Sequence, residues 1–130
     1  GTGVTVSQTS DNQLKLEIPS DISFDSGSYQ IKSNLRPILD RFAVTLNQNP
    51  VTTVKIIGHT DNRGSDAINN PLSVNRADAT RDYLVTRGVQ LNRIAIDGRG
   101  SREPIASNNT AEGRAMNRRV EIFVAEPARQ

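Results

Sequence analysis

The sequence predicts an α/β fold of the α+β kind: a two-layer sandwich in which helices pack on one face of a mixed four-stranded sheet. Strand-like and helix-like segments follow one another in the order βαβαββ. Right-handed crossovers would lay both helices on the same sheet face. The first and last strands alternate apolar and polar residues, which indicates that the other face is partly exposed to water. A chain of 130 residues without a linker fits one domain.

The first strand and the first helix are predicted from residue periodicity. Apolar and polar residues alternate over 13–18, and Pro19 ends the strand. After a turn-rich loop, Ser33 or Asn34 can cap a helix that ends at Asn49-Pro50. Its apolar residues recur at the spacing of one helical face: Leu35, Ile38, Leu39, Phe42, Ala43 and Leu46.

The middle of the chain predicts a second strand and a second helix. Residues 53–57 are largely β-branched and apolar, as in a buried strand. A loop over 62–70 follows, and Ser73 is the predicted N-cap of a helix that stops at Gly88. One face of that helix would carry Ala77, Thr80 and Leu84.

The last part of the chain predicts two more strands, over 93–98 and 119–124. Between them, Asn109-x-x-Glu112 indicates one short helical turn. Residues 1–12 are expected to be an N-terminal extension, 13–125 the folded domain and 126–130 a frayed tail. The order of the strands in the sheet does not follow from the pattern.

Composition limits the function only in part. No run of about 18 apolar residues is present, so we expect no membrane span, and any signal peptide or lipid anchor would lie upstream of Gly1. Cysteine is absent, which excludes disulfides and thiolate metal ligands. Net charge is +2, but ten arginines and no lysine lie between Gly58 and Arg119. Arginine pairs well with carboxylates and phosphates, although most of these side chains are expected to be solvated.

One acid and one base stand out. Asp61 follows the apolar run that ends at Ile57, and Arg76 is expected in the first turn of the helix that begins at Ser73. A strand end and a helix start border one crevice in open α/β folds, so the two side chains could bind a zwitterion there. Two structural alternatives stay open: an Asp61–Arg76 ion pair, or an Asx turn closed by Asp61 with Asn62.

Four ordered motifs resemble a known family. They are Gly58-His59-Thr60-Asp61-Asn62-Arg63-Gly64-Ser65, then Leu72-Ser73-x-x-Arg76-Ala77, then Gly98-x-Gly100, then Asn117-Arg118-Arg119-Val120-Glu121-Ile122. Together they look like the OmpA-like peptidoglycan-binding domain, shared by OmpA, the peptidoglycan-associated lipoprotein, the flagellar stator protein MotB and small outer-membrane lipoproteins. The resemblance covers roughly residues 13–125.

The resemblance implies non-catalytic binding of peptidoglycan through the diaminopimelate of its stem peptide. Asp61 would bind the ammonium of that side chain and Arg76 its carboxylate, and other envelope proteins are further candidate partners. The domain would lie on the periplasmic face of the outer membrane and tether it to the cell wall, without cofactor or metal. The implied ligand-binding residues are Asp61, Arg76, Phe24, Asp25, Asn62, Leu72, Ser73, Ala77 and Arg119, with the second arginine of the last motif preferred over Arg118.

Other functions are less well supported by the residues. A nucleic-acid-binding domain fits the basic pI of 9.4, but few aromatic residues are available for stacking. A peptidoglycan hydrolase would need two carboxylates aimed at one bond, or a metal. His59 is the only histidine, so His59 with Asp61 would supply two zinc ligands at most. We therefore expect no enzyme activity and a structural role for His59.

Overall fold

The computed structural model describes residues 3–127, and they form one sheet with helices against it. The sheet has five strands: β1 Thr5–Gln8, β2 Leu14–Pro19, β3 Thr53–His59, β4 Ile94–Gly98 and β5 Arg119–Ala125. Their order in the sheet is β1-β2-β5-β3-β4. Strands β3 and β4 are parallel, and the other neighbouring pairs are antiparallel.

The helices differ in length. The two long helices are α2 Arg36–Gln48 and α3 Asp66–Thr86, and the two short ones are α1 Ser20–Ser23 and α4 Ala111–Asn117. A 3-10 turn over Leu91–Arg93 leads into β4. Within residues 3–127, none of the helices has the length and apolar character needed to cross a bilayer.

The mixed α+β class is confirmed, but the predicted four-stranded sheet and the order βαβαββ are wrong. The missing strand is β1, which pairs with β2 from Thr5 opposite Glu17 to Gln8 opposite Leu14. All four residues of β1 are exposed, so its sequence lacks the alternation of apolar and polar residues that marks a half-buried strand. Part of the expected 1–12 extension therefore belongs to the sheet. Residues 1–2 and 128–130 of the expected extension and tail lie outside the described residues.

The start predicted for the second long helix is also wrong. Helix α3 begins at Asp66, with Ser65 in the N-cap position, and it contains Pro71. The residues before Ser73 look like a loop because they combine turn-forming side chains with a proline, but the chain is already helical there. The predicted stop is confirmed, since α3 ends at Thr86 and Gly88 follows with a φ of 95°. The short turn near 109–112 is α4, capped by the Thr110 hydroxyl, which accepts a hydrogen bond from the Gly113 N–H.

The hydrophobic core lies between α2, α3 and one face of the sheet. Side chains alternate along a strand, so every second residue of β2, β3 and β5 points to this layer. Core residues from the sheet and the two helices include Leu16, Ile18, Val54, Ile56, Ile94, Val120, Ile122, Leu39, Phe42, Leu46 and Leu84. Burial of this layer holds both long helices against the sheet.

The opposite sheet face is polar. It carries Lys15, His59, Arg119 and Glu121, of which the last three are buried. This face is partly wet, as expected: Lys55 of β3 is exposed and Lys15 of β2 is about a quarter exposed. Buried charges require partners, and the contacts that supply them are described below.

Candidate functional site

A crevice of about 660 Å³ opens beyond the carboxyl end of β3. The α1 segment and the loop after it form one wall, the loop that follows β3 forms the floor, and α3 forms the other wall. The lining side chains include both acids and bases. They are Asp21, Phe24, Asp25, Ser26, Gly27, Lys32, Thr60, Asp61, Arg63, Ile68, Asn69, Leu72, Arg76 and Arg118.

Asp61 forms the centre of an acidic pole. Its Oδ1 accepts a hydrogen bond from the Arg63 backbone N–H at 2.9 Å, which closes an Asx turn. Its Oδ2 accepts one from Nη1 of Arg118 at 2.6 Å. Arg118 also donates through Nε and Nη2 to the two carboxylate oxygens of Asp21, each at 2.9 Å. One arginine is therefore shared by two acids. Its hydrogen bonds to Asp21 and Asp61 raise the pKa of Arg118.

Arg76 forms the basic pole, on the opposite wall. Its Nε donates to the Ser28 carbonyl at 2.9 Å and its Nη2 to the Asp25 carbonyl at 3.3 Å. The guanidinium lies 5.0 Å from the centre of the Phe24 ring. Within residues 3–127, Nη1 of Arg76 has no hydrogen-bond partner. Burial lowers the pKa of Arg76, with the charge of Asp21 opposing it, so this guanidinium is partly desolvated and incompletely paired.

The two poles do not pair with each other. Among the described residues, no ion pair joins Asp61 to Arg76, and each side chain is held by its own neighbours. Of the two structural alternatives, the ion pair is absent from residues 3–127. The Asx turn is present, but Arg63 rather than Asn62 closes it.

The back of the sheet carries a separate ionic network centred on Glu121. Nε2 of His59 lies 2.6 Å from Oε1 of Glu121, while Lys15 and Arg119 contact Oε2 at 3.0 and 3.4 Å. Burial alone would raise the pKa of Glu121, but hydrogen bonds from His59 and Lys15 lower it to about 2. Because Glu121 is ionised, Nε2 of His59 must be the donor. The ring's buried Nδ1 has no hydrogen-bond partner within residues 3–127.

Comparison with known proteins identifies the family of this chain. The model of the OmpA family matches residues 23–118, which is most of the chain. The chain belongs to the OmpA family. It is 45% identical over 125 residues to the probable lipoprotein YiaD of Escherichia coli, covering 96% of this chain and 57% of YiaD. It is 58% identical over 87 residues to the peptidoglycan-binding protein ArfA of Mycobacterium tuberculosis, covering 67% of this chain and 27% of ArfA.

A solved structure shows the same architecture. The cell wall anchor of the T6SS from Pseudomonas aeruginosa superposes with a TM-score of 0.84 at 36% identity, covering 95% of this chain and 88% of that one. This OmpA-family chain therefore spans about half, or less, of the curated relatives above but nearly all of that anchor structure.

The structure of this OmpA-family domain brings five of the expected site residues to the crevice: Phe24, Asp25, Asp61, Leu72 and Arg76. Three others lie elsewhere or point away from it. Asn62 is exposed outside the lining, Ala77 is in the core, and Ser73 is fully buried. Ser73 is not an N-cap: its hydroxyl donates to the Asn70 carbonyl and accepts from the Gly100 N–H.

The position of Arg76 also differs from the expectation. Because α3 begins at Asp66, Arg76 lies three turns into the helix rather than in its first turn. The unpaired N–H groups and the positive end of the helix dipole are therefore too far away to assist Arg76. Its own partly unpaired guanidinium is what can attract an anion.

The structure does not bring Arg119 to the crevice, which corrects the choice between the two adjacent arginines. Arg119 lies in the back-face network and donates to the carbonyls of Asn117 and Glu103. Arg118 has the same parity as the core residues Val120 and Ile122, so it points to the helix side of the sheet. That parity was visible in the sequence and could have identified Arg118.

Asp21 is a crevice residue that sequence reasoning missed. It is separated from Arg118 by 97 positions, and no motif connects the two. Backbone contacts bring them together: Pro19 pairs with Arg119 in the sheet, and the Ser20 N–H donates to the Arg118 carbonyl at 2.9 Å.

Proposed function

We propose that this domain binds peptidoglycan without catalysis, by holding the end of the diaminopimelate side chain in the crevice. The observation that carries the proposal is that Asp61 and Arg76, an acid and a base that line one crevice, do not form an ion pair with each other. A zwitterionic group with an ammonium and a carboxylate complements such a site.

The available hydrogen-bond groups match this ligand. The unpaired Nη1 of Arg76 offers N–H donors to a carboxylate. Each oxygen of Asp61 accepts one hydrogen bond in the structure, so each retains acceptor capacity for an ammonium. Phe24 and Leu72 supply apolar contacts for the methylene groups between the two charges.

The relatives support the same biological setting. One is named a peptidoglycan-binding protein and another a probable lipoprotein, and the similar structure is described as a cell wall anchor. We propose that this domain lies on the periplasmic face of the outer membrane and tethers it to the cell wall, with the stem peptide as its partner.

The test compares wild type with Asp61→Asn and Arg76→Met by calorimetric titration of a diaminopimelate-containing muropeptide. Each change leaves one ligand charge without a partner, at a cost of about 2 to 5 kcal/mol, so affinity should fall at least about thirtyfold. The exposed residues Asp82 and Arg41 give matched controls, Asp82→Asn and Arg41→Met. Circular dichroism checks that the variants fold. Wild-type affinity in either crevice variant would contradict the assignment.

A second ligand tests the basic pole directly. A muropeptide with lysine in place of diaminopimelate has the ammonium but lacks the carboxylate, so Arg76 would face no anion. We expect it to bind much more weakly to wild type and with little further loss in Arg76→Met. Equal affinity for the two muropeptides would mean that Arg76 is structural.

The same samples test catalysis and the nucleic-acid alternative. After prolonged incubation with purified peptidoglycan, chromatography should detect no released muropeptides. Sedimentation with purified cell wall should retain the protein, whereas DNA at the same ionic strength should not. Release of fragments would make the domain a hydrolase, and retention on DNA alone would make it a nucleic-acid-binding domain.

A further inference from the structure

The segment from Pro19 to Ser28 contacts both poles of the crevice. At one end Asp21 receives two hydrogen bonds from Arg118. At the other end the carbonyls of Asp25 and Ser28 accept hydrogen bonds from Arg76. One short stretch of chain therefore sets the charge environment of the whole site.

Asp21 changes the net charge of the acidic pole. Asp61 and Arg118 alone would form a neutral pair, joined at 2.6 Å. Asp21 adds a second carboxylate to the same guanidinium, so the three side chains together carry one negative charge. A neutral pair offers an incoming ammonium little net attraction, whereas a singly negative cluster attracts one cation.

Asp21 is also accessible to a ligand. Its side chain is 52% exposed and lines the crevice, while that of Asp61 is 9% exposed. Each Asp21 oxygen accepts one hydrogen bond from Arg118, and a carboxylate has about four acceptor positions. The charge of Asp21 also acts across the crevice, because it opposes the effect of burial on the pKa of Arg76.

We infer that Asp21 is a specificity-determining residue of the crevice, which keeps the acidic pole negative toward a ligand ammonium while Arg118 holds Asp61 in place. The inference rests on the proposed function. It assigns Asp21 an electrostatic role in ligand binding and assigns Arg118 a positioning role through its bond to Asp61.

The experiment measures binding of two muropeptides to wild type and Asp21→Asn. The first contains diaminopimelate, and the second contains 2-aminopimelate, which keeps the side-chain carboxylate but has no ammonium. Asp21 is half exposed, so Asp21→Asn should weaken the first ligand by about two- to fivefold at low salt. The second ligand should bind Asp21→Asn as well as, or better than, it binds wild type.

Salt dependence provides a readout that a purely structural role would not change. Asp21→Asn removes a charge, so its deficit for the diaminopimelate ligand should shrink at about 0.5 M salt, where screening is strong. Asp82→Asn makes the same charge change at an exposed position outside the crevice lining and should bind both ligands like wild type.

The outcomes separate this inference from the proposed function. If wild type binds the diaminopimelate ligand and Asp61→Asn does not, but Asp21→Asn has wild-type affinity, only the role of Asp21 is overturned. If Asp21→Asn weakens both ligands equally, its role is structural and the inference is again overturned. If wild type does not bind the diaminopimelate ligand, the proposed function is overturned, and this inference with it.

Discussion

The ion pairs of Glu121 should make the stability of the fold depend on pH, whether or not a ligand is bound. Glu121→Gln keeps the shape of the side chain and an oxygen that can accept from His59, but it cannot ionise. In wild type the carboxylate has a pKa of about 2 in the folded state, against 4.5 ordinarily. A lowered pKa means that the ionised form stabilises the fold above pH 4.5, and that this contribution disappears as the pH falls toward 2.

The magnitude follows from that difference. The two pKa values differ by about 2.5, and at about 1.4 kcal/mol for each unit this gives an upper bound of about 3.5 kcal/mol. The Glu121 side chain is 8% exposed, but its partner Lys15 is 26% exposed, so water screens part of the network. We therefore expect Glu121→Gln to lower the free energy of unfolding by about 2 kcal/mol at pH 7 and to have almost no effect near pH 2.

Urea denaturation at a series of pH values between 7 and 2.5 measures this difference. Glu112 is exposed on α4, so Glu112→Gln provides a control that removes a carboxylate without disturbing the network. Other acids titrate over the same range, and the comparison between variants cancels their contribution. A stability difference between Glu121→Gln and wild type that stays constant from pH 7 to pH 2.5 would refute the reasoning.

Three further predictions concern packing and recognition. In Gly58→Ala the added Cβ would lie 2.1 Å from the Ser73 carbonyl oxygen, so denaturation should show a loss of about 3 kcal/mol or no folded protein; wild-type stability would contradict this contact. Asn117→Ala removes an amide that binds two loop N–H groups, at 2.7 and 2.9 Å, and should cost about 2 to 3 kcal/mol in the same assay; a change under about 0.5 kcal/mol would contradict it. Phe24→Leu keeps apolar volume but removes the ring beside Arg76, so calorimetry should show muropeptide affinity reduced about two- to fivefold, and unchanged affinity would argue against a ring contribution.

The core and most of the regular elements could be predicted from the sequence because they follow from periodic burial. The apolar positions of α2 and the alternation in β2 and β5 each belong to one face of one element, which is local information. The start of α3 could not be found in this way. Its first two turns contain turn-forming residues and Pro71, and local propensity there is overridden by packing and by the remaining backbone hydrogen bonds.

The site was predictable where one motif contained the information. Asp61 and Arg76 come from adjoining elements, so their meeting at one crevice follows from the local connection. The contact between Asp21 and Arg118 depends on β2 and β5 being neighbours, and the sequence pattern did not determine that strand order. The alternation of β5 itself distinguishes the two arginines, because Arg118 shares the parity of the core residues Val120 and Ile122 whereas Arg119 has the opposite parity.

The polar back of the sheet and the crevice are connected through the end of β3. His59, the last residue of that strand, is bound to Glu121 on one face, while Gly58 packs against α3 on the other. Thr60 is then held by a backbone hydrogen bond to the Gly100 carbonyl, so the chain is restrained on three sides before it reaches Asp61. Such restraint reduces the ordering that ligand binding requires.

The separate anchoring of the two poles explains why they remain available to a ligand. Asp61 is fixed by the end of β3 and by Arg118, whereas Arg76 is fixed by α3 and by the carbonyls of Asp25 and Ser28. Moving either charge across the crevice would break hydrogen bonds that are partly buried, at about 1 to 3 kcal/mol for each group left unsatisfied. Both side chains are buried, so bringing them together would also cost desolvation, which offsets much of the attraction between two buried charges. The fold therefore favours keeping the acid and the base apart, so both can bind a ligand that carries both charges.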